Sequence, residues 1–231
     1  MRVEVIRDPA HLAGLRAEWT ALLRASPADG LFLTWEWLTA WWAHLSAGAR
    51  LHLVTVRSGG ELTAVAPFLL RRRAPEAPFP VLEFLGTGSA GSDYLDLIVR
   101  DSSAAGSLDA LAGYLRGARL PLRLGQLRAG SAAAALAARL GGEGWRATVE
   151  EAGVCPVAVW PQPSWDVYMS TLTRKHRTDF RRCLANLHRQ FDVRFEQAVT
   201  EGETQEALDI LVSLHDARWR DRGGSTAFHT G

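Results

Sequence analysis

The segment "LHLVTVRSGGELTAVAPFLLRRR" constrains this chain most. Two apolar, strand-forming runs, 51–57 and 62–70, flank Ser58-Gly59-Gly60, and a Gly-Gly pair supplies the positive φ angles that a tight reversal needs. The pattern predicts a β-hairpin, so the sheet has an antiparallel centre. "MRVEVI" adds a short strand ahead of it. Asp8-Pro9 then reads as the cap and first position of a helix whose stripe is Leu12, Leu15, Trp19, Leu22 and Leu23. Thr34 is placed to cap a second helix, with Leu38, Trp41, Trp42 and Leu45 at helical spacing.

After the loop "APEAPFP" comes "VLEFLGTGSAGSDYLDLIV", in which Gly86, Gly88 and Gly91 spell the lettering of a dinucleotide-binding loop. That loop requires a helix opening at the third glycine, where backbone N–H groups meet the pyrophosphate. Here Gly91 is followed by Ser92-Asp93-Tyr94-Leu95-Asp96-Leu97-Ile98-Val99, an alternating run that predicts a strand. The expected acid about 20 positions on finds only Asp109, inside a predicted helix. The reading is therefore strand–glycine loop–strand, with the glycines serving turns.

Further on, the pattern predicts a helix over 104–116, a strand over 120–127, an alanine-rich helix over 131–140, and strands in "GWRATVEEA" and "CPVAVW". "PQPSW" is the domain boundary, dividing 1–160 from 161–231. Beyond it come a helix from Ser164, a basic helix over 174–190, a strand "FDVRFEQAV" and a helix over 203–221. One strand and two long helices close a core poorly by themselves.

Composition narrows the function classes. A net charge of +1 opposes general coating of nucleic acid. Cys155 and Cys183 stand in no CxxC pattern, which predicts neither disulfide framework nor zinc site and suits the cytoplasm. No apolar run reaches the roughly 18 residues of a membrane span, and no GxSxG, HExxH or Walker loop occurs.

Several side chains are candidates for binding. Lys175, Arg177, Arg181 and Arg182 load one helix with cations while Phe180, Leu184 and Leu187 form its apolar face, so it offers either a phosphate or carboxylate site or a solvated basic surface. Asp93, Tyr94 and Asp96 offer acceptor contacts, proton acceptance among them, or else turn capping. Trp35 and Trp37 stand at a helix start, as groove lining or core. His215 lies four residues before Trp219 without metal-site spacing.

In order, "WEWLTAWWAHL", "LVTVRSGGELTAVAPFLLRRR", "FLGTGSAGSDYLDLIV", "TRKHRTDFRRCLANL" and "LHDARWRDRGGSTAF" resemble the GNAT-superfamily N-acyltransferases of the cellulose-biosynthesis (CelD-type) group, relatives of the FemAB-like enzymes. The resemblance spans about 32–228. It implies an α/β (α+β) fold of two GNAT-like units in tandem, each a mixed, mainly antiparallel sheet flanked by helices. It also implies acetyl-CoA or another acyl-CoA as cosubstrate, no metal, and a small-molecule, saccharide or peptide amine as acceptor, which attacks the thioester directly. Lys175, Arg177, Arg181 and Arg182 would then bind anions, and Asp93, Tyr94 and Asp96 the acceptor. Trp35, Trp37, His215 and Trp219 would line the cleft between units. A GNAT pyrophosphate loop reads Q/R-x-x-G-x-G/A; here "VRDSSAAGSLDAL" puts Ser103 at its first glycine. The first unit is thus expected to be degenerate toward CoA, and the second to stop short of the strands that would carry its own loop. The alternative is a non-catalytic binding or assembly module on the same fold.

Overall fold

The computed structural model describes residues 1–72, 79–88, 91–125, 127–141, 144–157, 164–225 and 228. The chain forms two units, Met1–Gly153 and Val154–Gly231.

The first unit is a mixed α+β structure with an antiparallel sheet flanked by helices. Strands β1 (Arg2–Ile6), β2 (Ala49–Ser58), β3 (Glu61–Arg71) and β4 (Val81–Phe84) lie in that order, each antiparallel to its neighbour. The hairpin turns on Gly59 and Gly60, at φ 58° and 88°, the mirror-image geometry whose twist matches the flanking strands. Burial runs almost unbroken along β2 and β3, so both faces are covered. Helix α1 (Leu12–Arg24) packs on β3 and on a fifth strand, β5 (Ile98–Val99), and α3 (Ala104–Ala118) packs across β1, β2, β3 and β5. All five residues of the predicted α1 stripe are buried. Thr34 Oγ1 accepts from the Trp37 amide at the head of α2 (Trp35–Leu45). Helix α4 (Ala132–Leu140) rests on α3, tied by Arg139 to Asp109 at 2.9 Å.

One irregularity positions the site. β4 pairs with residues 68–71 of β3, and β5 (Ile98–Val99) pairs with residues 64–65 on the same edge. Pro67 stands in the gap. It has no N–H to give, and its carbonyl accepts from the Leu85 amide, so the ladder lacks a donor where β4 ends. The chain between β4 and β5 leaves the sheet at this interruption.

Five predicted strands are corrected. The run 92–99 pairs only at Ile98–Val99, because Tyr94 takes a left-handed φ of 55° that breaks the alternation. Among the described residues of the predicted 120–127 strand, which exclude Gln126, there is a single parallel bridge, Leu122 with Leu82. The described residues of "GWRATVEEA" and "CPVAVW" form no strand, and neither does 191–199: alternation without a neighbouring edge does not make a sheet. Residues 158–160 of "CPVAVW", 73–78 beside the third strand, Ser89 and Ala90 of the glycine loop, and the prolines of "PQPSW" lie outside the described residues.

The second unit contains α5 (Trp165–Thr171), α6 (Arg174–Gln190) and α7 (Glu201–Trp219). Their starts are capped by Ser164, Thr173 and Thr200, the last in a reciprocal capping box with Glu203. Neither α6 nor α7 buries a residue.

Candidate ligand cleft

The loop from Leu85 to Leu97 is held at both ends and at its middle. Gly86 has φ 91°, and a β-carbon there would meet Leu95 and Ser92 at 3.1 Å and Leu38 at 3.3 Å, so close approach as well as conformation demands glycine. Trp37 Nε1 donates to Ser92 Oγ at 3.0 Å, and Leu95 and Leu97 are buried. Between these anchors, Asp93 and Tyr94 are turned outward. No helix opens at Gly91, so the surroundings a dinucleotide loop needs are absent.

Asp96 points the other way. Its Oδ1 accepts from the amides of Leu97 (2.8 Å) and Ala133 (2.7 Å), and its Oδ2 from that of Ala132 (3.0 Å). Ser131 Oγ takes the Ala134 amide, so the head of α4 is fully occupied by the protein's own oxygens. Burial pushes the Asp96 carboxyl above its ordinary pKa, against the three amide bonds and Arg128, which pull it down. Asp96 is thus a cap, and the chain from 93 to 97 is clasped to the start of α4.

A cleft of about 450 Å³ lies against this clasp. Its walls come from the α1–α2 connection (residues 26–33), the 93–99 segment, the head of α3, and residues 128–135. Leu31, Phe32, Leu97 and Leu108 supply apolar surface, and Asp29, Asp93 and Asp101 supply exposed carboxylates. Arg128 is the cation among the described lining residues, its guanidinium 5.6 Å from the Tyr94 ring centre. Ser26 Oγ accepts from the Val99 and Ala28 amides, bracing the opposite wall. Acid outweighs base at this mouth, so the field favours a cation with an apolar body.

The predicted site residues separate. Asp93, Tyr94 and Asp96 all line the cleft. Trp35 and Trp37 are part-buried against the core. Trp35 donates to the Leu12 carbonyl at 2.7 Å and carries Arg16 on its ring; Trp37 meets the ring of Phe32 edge-on at 5.1 Å. They brace the cleft wall, and neither lines the cleft itself. The other candidates belong to the second unit. Arg177 donates to the carbonyls of Leu172 and, at 3.2 Å, Ser170, closing the end of α5. Arg182 pairs with Asp179 at 3.0 Å, while Lys175 and Arg181 are exposed. The His215 ring meets Phe228 edge-on at 4.9 Å and lies 6.2 Å from that of Trp219, with no hydrogen-bond partner for its Nε2 among the described residues.

Sequence reasoning missed Asp29, Asp101 and Arg128, which stand in no motif and meet only through the fold. It also missed the pair His52 and Tyr114. His52 is 2% exposed and its Nε2 lies 2.7 Å from the Tyr114 hydroxyl; burial first, then Arg7 and Arg50, lower its pKa to about 4. Among the described residues no group of three His, Cys, Asp or Glu could hold a metal ion, and no helix is long and apolar enough to cross a membrane. Cys155 and Cys183 are free and exposed. No family model matches this chain, and neither a curated protein nor a solved structure does.

Proposed function

We propose that this chain serves GNAT-type N-acyl transfer and that its first unit holds the amine acceptor. The observation that carries this reading is the cleft: Asp93 and Tyr94 of the S-D-Y-x-D segment face a partly apolar space whose exposed charges are mainly carboxylates. Asp29, Asp93 and Asp101 would draw in and orient an ammonium group, and Leu31, Phe32 and Leu108 would shield the body of the ligand from water. The likeness of the ordered sequence segments to CelD-type enzymes, with their tandem GNAT-like units, supports the reaction class. A polysaccharide or envelope amine is the acceptor that likeness suggests.

The residues of the first unit do not fit an acyl-CoA pyrophosphate. At the junction of β5 and α3, the amides of Asp101 and Ser103 are already bonded to the carbonyls of Ala25 and Arg100, and the Ala104 amide to that of Asp101. Arg100 is engaged with Glu61 at 2.7 Å, and the Asp101 carboxylate stands where an anion would arrive. The head of α4 is filled by Asp96. No acyl-transfer step is therefore assigned to this unit. The same observation favours the second reading, a non-catalytic binding module.

Calorimetric titration of the full chain separates the cases. Glucosamine as a probe amine should bind saturably and more weakly to Asp93→Asn, and acetyl-CoA should show no stoichiometric binding. Tight acetyl-CoA binding would overturn the assignment of the first unit, and absence of amine binding would overturn the acceptor site.

A further inference from the structure

Helix α6 separates its side chains by chemistry. At about 100° per residue, Phe180, Leu184 and Leu187 fall on one narrow stripe, and Phe191 extends it past the last turn. The four remain 40%, 40%, 41% and 61% exposed. The Trp165 ring of α5, 48% exposed, lies 5.3 Å from that of Phe180 and lengthens the apolar strip with an indole. Arg177, Arg181 and Arg174 line one side of the strip, Arg182, Arg189 and Lys175 cover the back of the helix, and the other side carries His176, Cys183, Gln190 and Asp179. Asp179 is the single acid among its residues, and it is already paired with Arg182.

We propose that α6, with Trp165, is a membrane-surface element that lies in the interface of an anionic bilayer. Charge complementarity selects the occupant: Arg174, Lys175, Arg181 and Arg189, joined by Arg182 beside its acid Asp179, meet a surface of lipid phosphates, while Arg177 is held by the α5 carbonyls. Their long stems run along the apolar surface while the charged heads reach the phosphate level. Phenylalanine, leucine and tryptophan on the opposite side are the residues that enter the acyl boundary, tryptophan at its edge. The segregation also distinguishes α6 from α7, whose apolar residues Leu208, Ile210, Leu211 and Leu214 spread around the helix and whose first turn is acidic. Nucleic acid would use the cations and leave the apolar stripe in water, so it accounts for half of the pattern.

The test is co-sedimentation of the full chain with vesicles of phosphatidylcholine alone or mixed with phosphatidylglycerol. Binding is expected to the mixed vesicles only, falling steeply with added salt. Leu184→Asp with Leu187→Asp should weaken it by about tenfold or more, and Arg181→Gln with Arg182→Gln by a smaller factor. Far-UV circular dichroism checks that α6 persists in both variants. Fluorescence that shifts to the blue on binding in the parent but less in Trp165→Phe would place the indole in lipid. Four results would overturn the proposal: no binding to either vesicle, equal binding to both, full binding by the Leu184/Leu187 variant, or a chain dimer that this variant dissociates while vesicles stay unbound. Salt-sensitive binding to double-stranded RNA in the absence of any vesicle binding would also overturn it.

Discussion

The two units use similar local chemistry and reach opposite packing outcomes. Both have capped helices, both have apolar stripes, and both carry alternating runs suited to strands. In the first, β2 and β3 pair along their whole length and give the helices a surface to cover. In the second, the 191–199 run has no partner strand among the described residues, and Met169 is the one buried hydrophobic residue among them. Good caps satisfy helix ends, but stability comes from burying an apolar face, and burial needs a second surface.

The largest test of this contrast is Phe68→Ala. Phe68 is fully buried on β3, 5.4 Å from the Phe84 ring, and its loss should cost about 3–5 kcal/mol in denaturant unfolding. A change under about 1 kcal/mol would mean that the hairpin core does not carry the first unit. Next comes Asp96→Ala, which strips three amides of their acceptor and should cost about 2 kcal/mol. The same change should loosen the cleft, seen as faster amide exchange at Ala132 and Ala133.

The acid response of the first unit is a smaller effect. His52 has a folded pKa of about 4 against an ordinary 6.5, so between those values the unfolded chain binds a proton that the folded chain does not. Stability should fall as pH drops from about 6.5 toward 4, and His52→Gln should flatten that slope while keeping a partner for Tyr114. An unchanged slope would mean that the ring is not held neutral. The smallest effect belongs to the second unit. Leu214→Ala, at 64% exposure, should alter stability by less than about 0.5 kcal/mol. A cost above about 2 kcal/mol would erase the distinction between the units.

Much of the site was visible as letters before it was visible as a place. The segment Ser92-Asp93-Tyr94-Leu95-Asp96 stands out after its glycines, and the structure brings Asp93, Tyr94 and Asp96 to one cleft. Their division of labour was not legible. Alternation placed Tyr94 and Asp96 on one strand face, whereas the left-handed turn at Tyr94 sends Asp96 to the α4 amides and leaves Tyr94 at the mouth. Arg128 and Asp101 carry no local pattern, since nothing near them in sequence depends on the residues they face across the cleft.

By itself the sequence determined what short-range physics controls: the Gly-Gly hairpin, the caps at Asp8 and Thr34, the α1 stripe, and the two-sided chemistry of α6. Tertiary structure alone decided which alternating runs became strands and which carboxylates stayed exposed. It also made Asp96 the cap of α4, a helix distant from it in sequence. The reason is that β pairing and burial are properties of two segments at once, and a segment read singly holds only half of each contact.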